Sequence, residues 1–194
     1  MQEMKRIVAS GDLGEPMHIE GHTSNLNAGL HFGAWRHDAA ESPGGGMTGP
    51  GIHVLDAFVH LMGPVRSVNS QFVSRKPPPD PTDMLSAMFQ FASGATGLFA
   101  TLRSTPDYRR VHVFGRAGSV EALGDAELVI RRQGKPVQQL RFARVDSLRL
   151  ELEAFADAID GRTPYPITSG EMIDTIAAFE ALVTSADTGK PVLC

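Results

Sequence analysis

A chain of 194 residues with 42% hydrophobic and 21% charged side chains holds enough apolar material for one cored domain, and no second composition block divides it. Its formal net charge of -4, with no Lys/Arg stripe interleaved with aromatics, excludes a broad nucleic-acid surface. Cys194 is the only cysteine, which excludes an internal disulfide and a cysteine metal cage; no apolar run approaches a membrane span, MQEMKRIVASGDLGEP lacks a signal-peptide core, and the cytoplasm is the expected compartment.

Met4, Ile7 and Val8 stand at helical spacing and predict a helix over 2–10, stopped by Gly11 and Gly14 and not continued past Pro16. So abrupt an amphipathic start reads as the middle of a longer protein. MHIEGHTS (17–24) alternates loosely and predicts a strand. Residues 25–46 lack periodicity and carry Trp35 and Arg36; a loop of this length with an embedded tryptophan is expected to be functional.

The glycine-rich PGGGMTGPG then leads into IHVLDAFVHLMG, a helix in which Val54, Leu55, Phe58 and Leu61 predict burial on more than one side. His53, Asp56 and His60 are three and seven residues apart, so they project from roughly one side of it. An imidazole near the start of such a helix, beside a flexible turn, suits proton transfer; the plain alternative is a buried histidine satisfied by a carbonyl. For Asp56 the plain alternative is a carboxylate that fixes the loop or a neighbouring helix, and His60 is expected to pack or face solvent. His53, Asp56 and His60, or His18 with His22, also place two metal ligands on one face, without an HExxH signature.

Strands are predicted over 65–74, 84–92 and 95–103, the last two joined at Ser93 and Gly94, with the PPPDPTD tract of 77–83 as a stiff connection. Further strands over 111–116, 119–123, 127–132 and 137–142 follow with short links, so the sheet is predominantly antiparallel and open. Arg103, Arg109, Arg110 and Arg116 are expected on a solvated sheet edge. Leu148 to Ile159 predicts a helix with Leu148, Leu152, Phe155, Ala156 and Ile159 on one face, capped by Asp146 or Ser147. Thr168 to Ala186 predicts another, with Thr168 and Glu171 at capping-box spacing. The sum is an α+β fold, an antiparallel open sheet with helices on one face.

Five stretches in order, IVASGDLGEPMHI (7–19), GGGMTGPGIHVLD (44–56), FGRAGSVEA (114–122), ELEAFADAIDGR (151–162) and SADTGKPV (185–192), resemble the C-terminal domain of the glucose-fructose oxidoreductase, inositol dehydrogenase and rhizopine-catabolism (Gfo/Idh/MocA) family over nearly the whole chain. The resemblance implies a domain that works with an N-terminal Rossmann domain binding NAD or NADP, that uses its open sheet as an oligomer interface, and that acts on a sugar or polyol. It further implies that His53 is the family's catalytic histidine, that Asp56 occupies the second acidic position on that helix, and that Trp35 and Arg36 border the substrate pocket. Gly49 stands where the family often carries an Asp.

A dinucleotide site needs GxGxxG between a strand and a helix, and this sequence has none, so the chain is expected to bind no cofactor by itself; GGGMTG follows a loop. The leading expectation is a substrate-binding and homo-oligomerisation domain over 1–194, its Rossmann domain absent, inactive alone and without membrane or nucleic-acid partner. The alternatives are a non-catalytic binding or scaffolding module and a metal-dependent hydrolase.

Overall fold

A computed structural model describes residues 1–26, 41–44, 47–74 and 83–194. In chain order it contains α1 (Gln2–Ala9), β1 (Pro16–Leu26), α2 (Pro50–Met62), β2 (Val65–Ser74), β3 (Asp83–Phe91), β4 (Thr96–Leu102), β5 (Ser104–Gly115), β6 (Gly118–Leu123), β7 (Glu127–Arg132), β8 (Gln138–Arg141), α3 (Ser147–Ile159), α4 (Ser169–Thr188) and β9 (Val192–Leu193). The strands form one nine-stranded sheet in the order β8-β7-β6-β5-β1-β4-β3-β2-β9. Every neighbouring pair is antiparallel except β1 and β4, which run parallel. Short connections make β3 and β4, and then β5 through β8, antiparallel neighbours in sequence, whereas β4 and β5, though consecutive, are kept apart by β1, inserted between them from far upstream. The predicted α+β architecture with a mostly antiparallel open sheet is the one observed.

Period-two alternation gives the sheet a covered face and an open one. Ile19, Phe89, Phe91, Phe99, Val113, Val120 and Ile130 are buried on the covered face. There α2 lies on β1, and the Phe58 ring meets Phe89 edge-on at 5.5 Å, Phe99 edge-on at 6.1 Å and Phe91 at 6.4 Å. The helix comes this close because Gly21 lies beneath it: a Cβ there would stand 2.6 Å from both the Phe58 ring and Val54 Cγ1. As expected, α2 is buried on more than one side, with Val54, Leu55, Ala57, Phe58, Val59, Leu61 and Met62 all inside.

α4 packs beside α2 and across β2, where Ser70 N–H donates to Ser185 Oγ at 2.9 Å and Ser70 Oγ donates to the Leu182 carbonyl at 2.6 Å. Its start is the predicted capping box: Thr168 N–H donates to Glu171 Oε2 at 2.8 Å and Glu171 N–H to Thr168 Oγ1 at 3.2 Å. α3 is capped by Asp146, which accepts from the Arg149 N–H at 3.1 Å. Its predicted apolar stripe exists but is uncovered: no residue of α3 is buried, and Leu148, Leu152, Phe155 and Ile159 are all more than half exposed. β9, two residues paired to β2, was not expected, since so short a segment carries no periodicity.

Candidate functional site

The chain enters α2 through a tight turn. Gly44 takes a φ of +70°, its carbonyl accepts from the Met47 N–H at 3.0 Å, and Thr48 Oγ1 donates to the Pro43 carbonyl at 2.5 Å. Met47 is fully buried and anchors the turn. Pro50 occupies the first turn, where its missing N–H costs nothing, and Gly49 caps the helix without a side chain. The first turn of α2 therefore holds no carboxylate, and His53 is exposed there.

His53, Asp56 and His60 do not present one common face to solvent. His53 is exposed, Asp56 is partly buried, and His60 is buried at 9% exposure. Seven residues return the helix to nearly the same angle, so the difference comes from the rise of about 10 Å, which takes the row from the open N-terminal end into the groove between α2 and α4. His60 packs, as one of its two expected placements had it, and it also takes partners: its Nδ1 lies 2.9 Å from Glu171 Oε1, and its carbonyl accepts from Lys5 Nζ of α1. Asp56 Oδ1 accepts from Thr175 Oγ1 at 3.5 Å, so the expectation that Asp56 fixes a neighbouring helix describes its geometry. Together these contacts tie α2 to α4 and hold the register in which His53 stands outside.

Glu171 is the residue that sequence spacing found for one task and missed for another. Burial would raise its carboxyl, but hydrogen bonds from the Thr168 N–H, His60 and the Thr168 hydroxyl outweigh that and hold it below the usual glutamate value. Its stabilising contribution is present above the unfolded-chain value and lost as pH falls through the folded one. Glu171→Ala removes half the capping box and the His60 partner together, and a loss of about 1–2 kcal/mol in urea unfolding at neutral pH is expected.

Asp56 behaves in the opposite sense. Burial pushes its carboxyl up and the Glu171 charge adds to this, against the pull of His60, Thr175 and His53. Where the folded pKa lies above the unfolded one, folding costs nothing extra below the unfolded value; stability is lost as pH rises between the two and stays lost above. Asp56→Asn is therefore expected to raise Tm at about pH 7, with the gain shrinking toward about pH 4; a lower Tm at pH 7 contradicts this.

Trp35 and Arg36 lie outside the described residues, as do Gly45 and Gly46. Among the described residues no three His, Cys, Asp or Glu side chains are placed to hold a metal ion, so the hydrolase alternative gains no support there. His18 and His22 face the open side of the sheet, where His18 Nδ1 lies 2.8 Å from Thr96 Oγ1. Arg110 corrects the solvated-edge expectation: it sits in the middle of the sheet, paired to Glu20 of β1 and 3.0 Å from Glu121 of β6. Arg109 pairs with Asp125 and Arg116 with Glu15. No helix among the described residues is long and apolar enough to cross a membrane.

Residues 1–121 match the model of the GFO/IDH/MocA C-terminal domain. A D-xylose 1-dehydrogenase (NADP(+)) 2 from Haloferax volcanii is 32% identical in an alignment 117 residues long that covers 56% of this chain and 35% of that protein. Among solved structures, a protein from Desulfitobacterium hafniense assigned as an NADPH-dependent oxidoreductase superposes with a TM-score of 0.85 at 24% identity over 99% of this chain and 60% of its own. A levoglucosan dehydrogenase in complex with NADH gives 0.82 at 17% identity over 98% of this chain and 61% of its own. The chain thus spans about a third of the matched dehydrogenase and three fifths of the matched structures. With the family matched over well over half of its residues, the chain belongs to the GFO/IDH/MocA C-terminal domain family.

Proposed function

We propose that this chain is the substrate-side and self-associating part of an NAD(P)-dependent sugar or polyol oxidoreductase, with His53 exchanging the proton of the reacting hydroxyl or carbonyl oxygen. The observation that carries the reading is the placement of His53: it is the exposed imidazole at the open end of a helix otherwise buried and braced against α1 and α4. An exposed side chain on an immobile helix can meet a bound molecule without reorganising, which is what proton transfer requires. Asp56 stands one turn behind it, positioned through Thr175, and on the family pattern Trp35 and Arg36 are proposed to border the substrate.

The residues described here do not fit a dinucleotide. A Gly-rich turn between a parallel strand and a helix would be needed, whereas among the described residues the parallel strands β1 and β4 are joined through α2, β2 and β3. On this reading the hydride carrier is held by another polypeptide segment. A seat for such a segment is at hand. Between α3 and α4 lies a groove of about 610 Å³ that includes Leu152, Phe155, Ile159 and Met172, and Ile173 and Ile176 extend its exposed apolar surface along α4. Such uncovered apolar side chains suit a segment that would cover them.

The neighbouring structures include levoglucosan dehydrogenase with levoglucosan and with L-sorbose, and the curated relative is named for D-xylose. These three sugars form the first test panel. In a chain carrying ¹³C-labelled histidine, at least one is expected to move the His53 imidazole signal, assigned by its loss in His53→Gln, while the His60 signal stays. If all three leave the His53 signal in place at saturating sugar, the site assignment is wrong.

A further inference from the structure

The open face of the sheet, opposite the one on which α2 and His53 lie, carries a charged patch at its centre. In cross-strand register, one row runs Met88, Leu98, Glu20, His112, Glu121 over β3, β4, β1, β5 and β6, and the adjacent row brings His22 of β1 opposite Arg110 of β5. Arg110 pairs with Glu20, its Nε lies 3.0 Å from Glu121 Oε1, and Arg131 Nη1 of β7 lies 3.0 Å from Glu121 Oε2. Two glutamates and two arginines cancel. Beside them Met88 and Leu98 are 55% and 46% exposed.

His112 is wedged into this lattice. It is 7% exposed, its ring lies 3.9 Å from that of Phe114, its Nδ1 is 3.7 Å from Glu121 Oε1 and 3.4 Å from Arg110 Nη2, and its buried Nε2 has no hydrogen-bond partner. Glu20 faces it from β1 and Arg131 from β7. His22 is partly buried against Tyr108, 5.5 Å between rings, with Arg110 as its charged neighbour, and His18 completes the histidine row with its Nε2 4.0 Å from Glu20 Oε1.

With the second copy of the chain proposed above seated on this face, we infer that mild acid releases it by charging His22 and His112 on both apposed faces. The inference rests on the self-association proposed above and adds its control. A face whose central charges cancel, flanked by apolar side chains, is self-complementary across a two-fold axis. Two imidazolium ions on each copy would give both faces a net positive centre in a site that excludes water, where like charges repel strongly.

The single chain already leans this way. Burial lowers the His22 imidazole, and Arg110 adds to it; burial lowers that of His112, with Arg110 and Arg131 adding and Glu121 and Glu20 opposing. Covering the face deepens burial, so protons bind the separated chains better than the pair. Association is then complete above the free chain's pKa values and weakens as pH falls through them.

Sedimentation velocity of this chain at about pH 7.5 and about pH 5.0 tests the inference. The wild type is expected to be dimeric at the higher pH and to show a dissociation constant at least about tenfold larger at the lower, as one unit of pKa shift implies. The H22Q/H112Q variant is expected to hold nearly the same constant at both, and H22Q alone, at the rim of the patch, to recover part of the acid loss. A wild-type constant that does not change with pH, or variants that dissociate in acid as the wild type does, overturns acid release and leaves self-association standing. A chain that is monomeric at pH 7.5 removes self-association and this inference with it.

Discussion

Replacing His53 with glutamine in an active oxidoreductase that contains this chain is expected to lower kcat by about 10²–10⁴-fold, the usual worth of a positioned proton-transfer group, with a much smaller change in KM. The split follows from the geometry. His53 is outside the core, so its loss opens no cavity and breaks no buried contact. Glutamine keeps a hydrogen-bonding group for the substrate oxygen but cannot carry the proton, and the pH profile of kcat/KM should lose the limb that belongs to an imidazole. A His53→Gln enzyme with unchanged kcat and an unchanged profile removes proton transfer from this residue.

Gly21→Val is expected to have the largest effect on the fold itself. At Gly21 even a Cβ would lie 2.6 Å from the Phe58 ring and from Val54 Cγ1, and neither can withdraw: Phe58 is enclosed by Phe89, Phe91 and Phe99, and Val54 is 2% exposed. Valine adds branching methyls to that clash, so α2 must lift from β1 or the strand must bend away. A loss of roughly 3 kcal/mol or more in urea unfolding is expected, at or above the upper end of ordinary overpacking. Because the lifted helix carries His53, Gly21→Ala should already alter the His53 environment in histidine NMR spectra while the protein remains folded. A Gly21→Val chain as stable as the wild type would mean that α2 is seated elsewhere.

These two residues differ in how far the sequence announces them. His53 is readable because a glycine turn, a helical apolar period and a titratable side chain adjoin one another within a dozen positions. Gly21 is not, because an isolated glycine in a strand pattern looks like a weak spot until the helix that crosses it is placed, and that placement depends on residues some thirty positions away. The same contrast separates the two tasks of Glu171. Its cap on Thr168 is local and legible, whereas its contact with His60 spans 111 residues and depends on the packing of two helices.

Strand order follows this rule too. The hairpins after β2 are dictated by short links, but the parallel pairing of β1 with β4 has no local signature. The upstream end of β5, beginning at Ser104, escapes periodicity because Pro106 and Asp107 interrupt it, although the strand continues through them alongside β1. The apolar stripe of α3 was legible and its cover was not, since what covers it belongs to a segment outside this chain on the reading proposed here. Period and spacing report what a side chain offers; tertiary packing decides which partner takes it.

The central claim is that substrate handling and coenzyme binding reside in different polypeptide segments, and direct titration of this chain with NADH and NADPH, followed by nicotinamide fluorescence, tests it most plainly. No saturable change is expected at coenzyme concentrations reaching about 1 mM, far above the affinities of working dinucleotide sites. Saturation in the micromolar range would place a coenzyme site among these 194 residues and contradict the account.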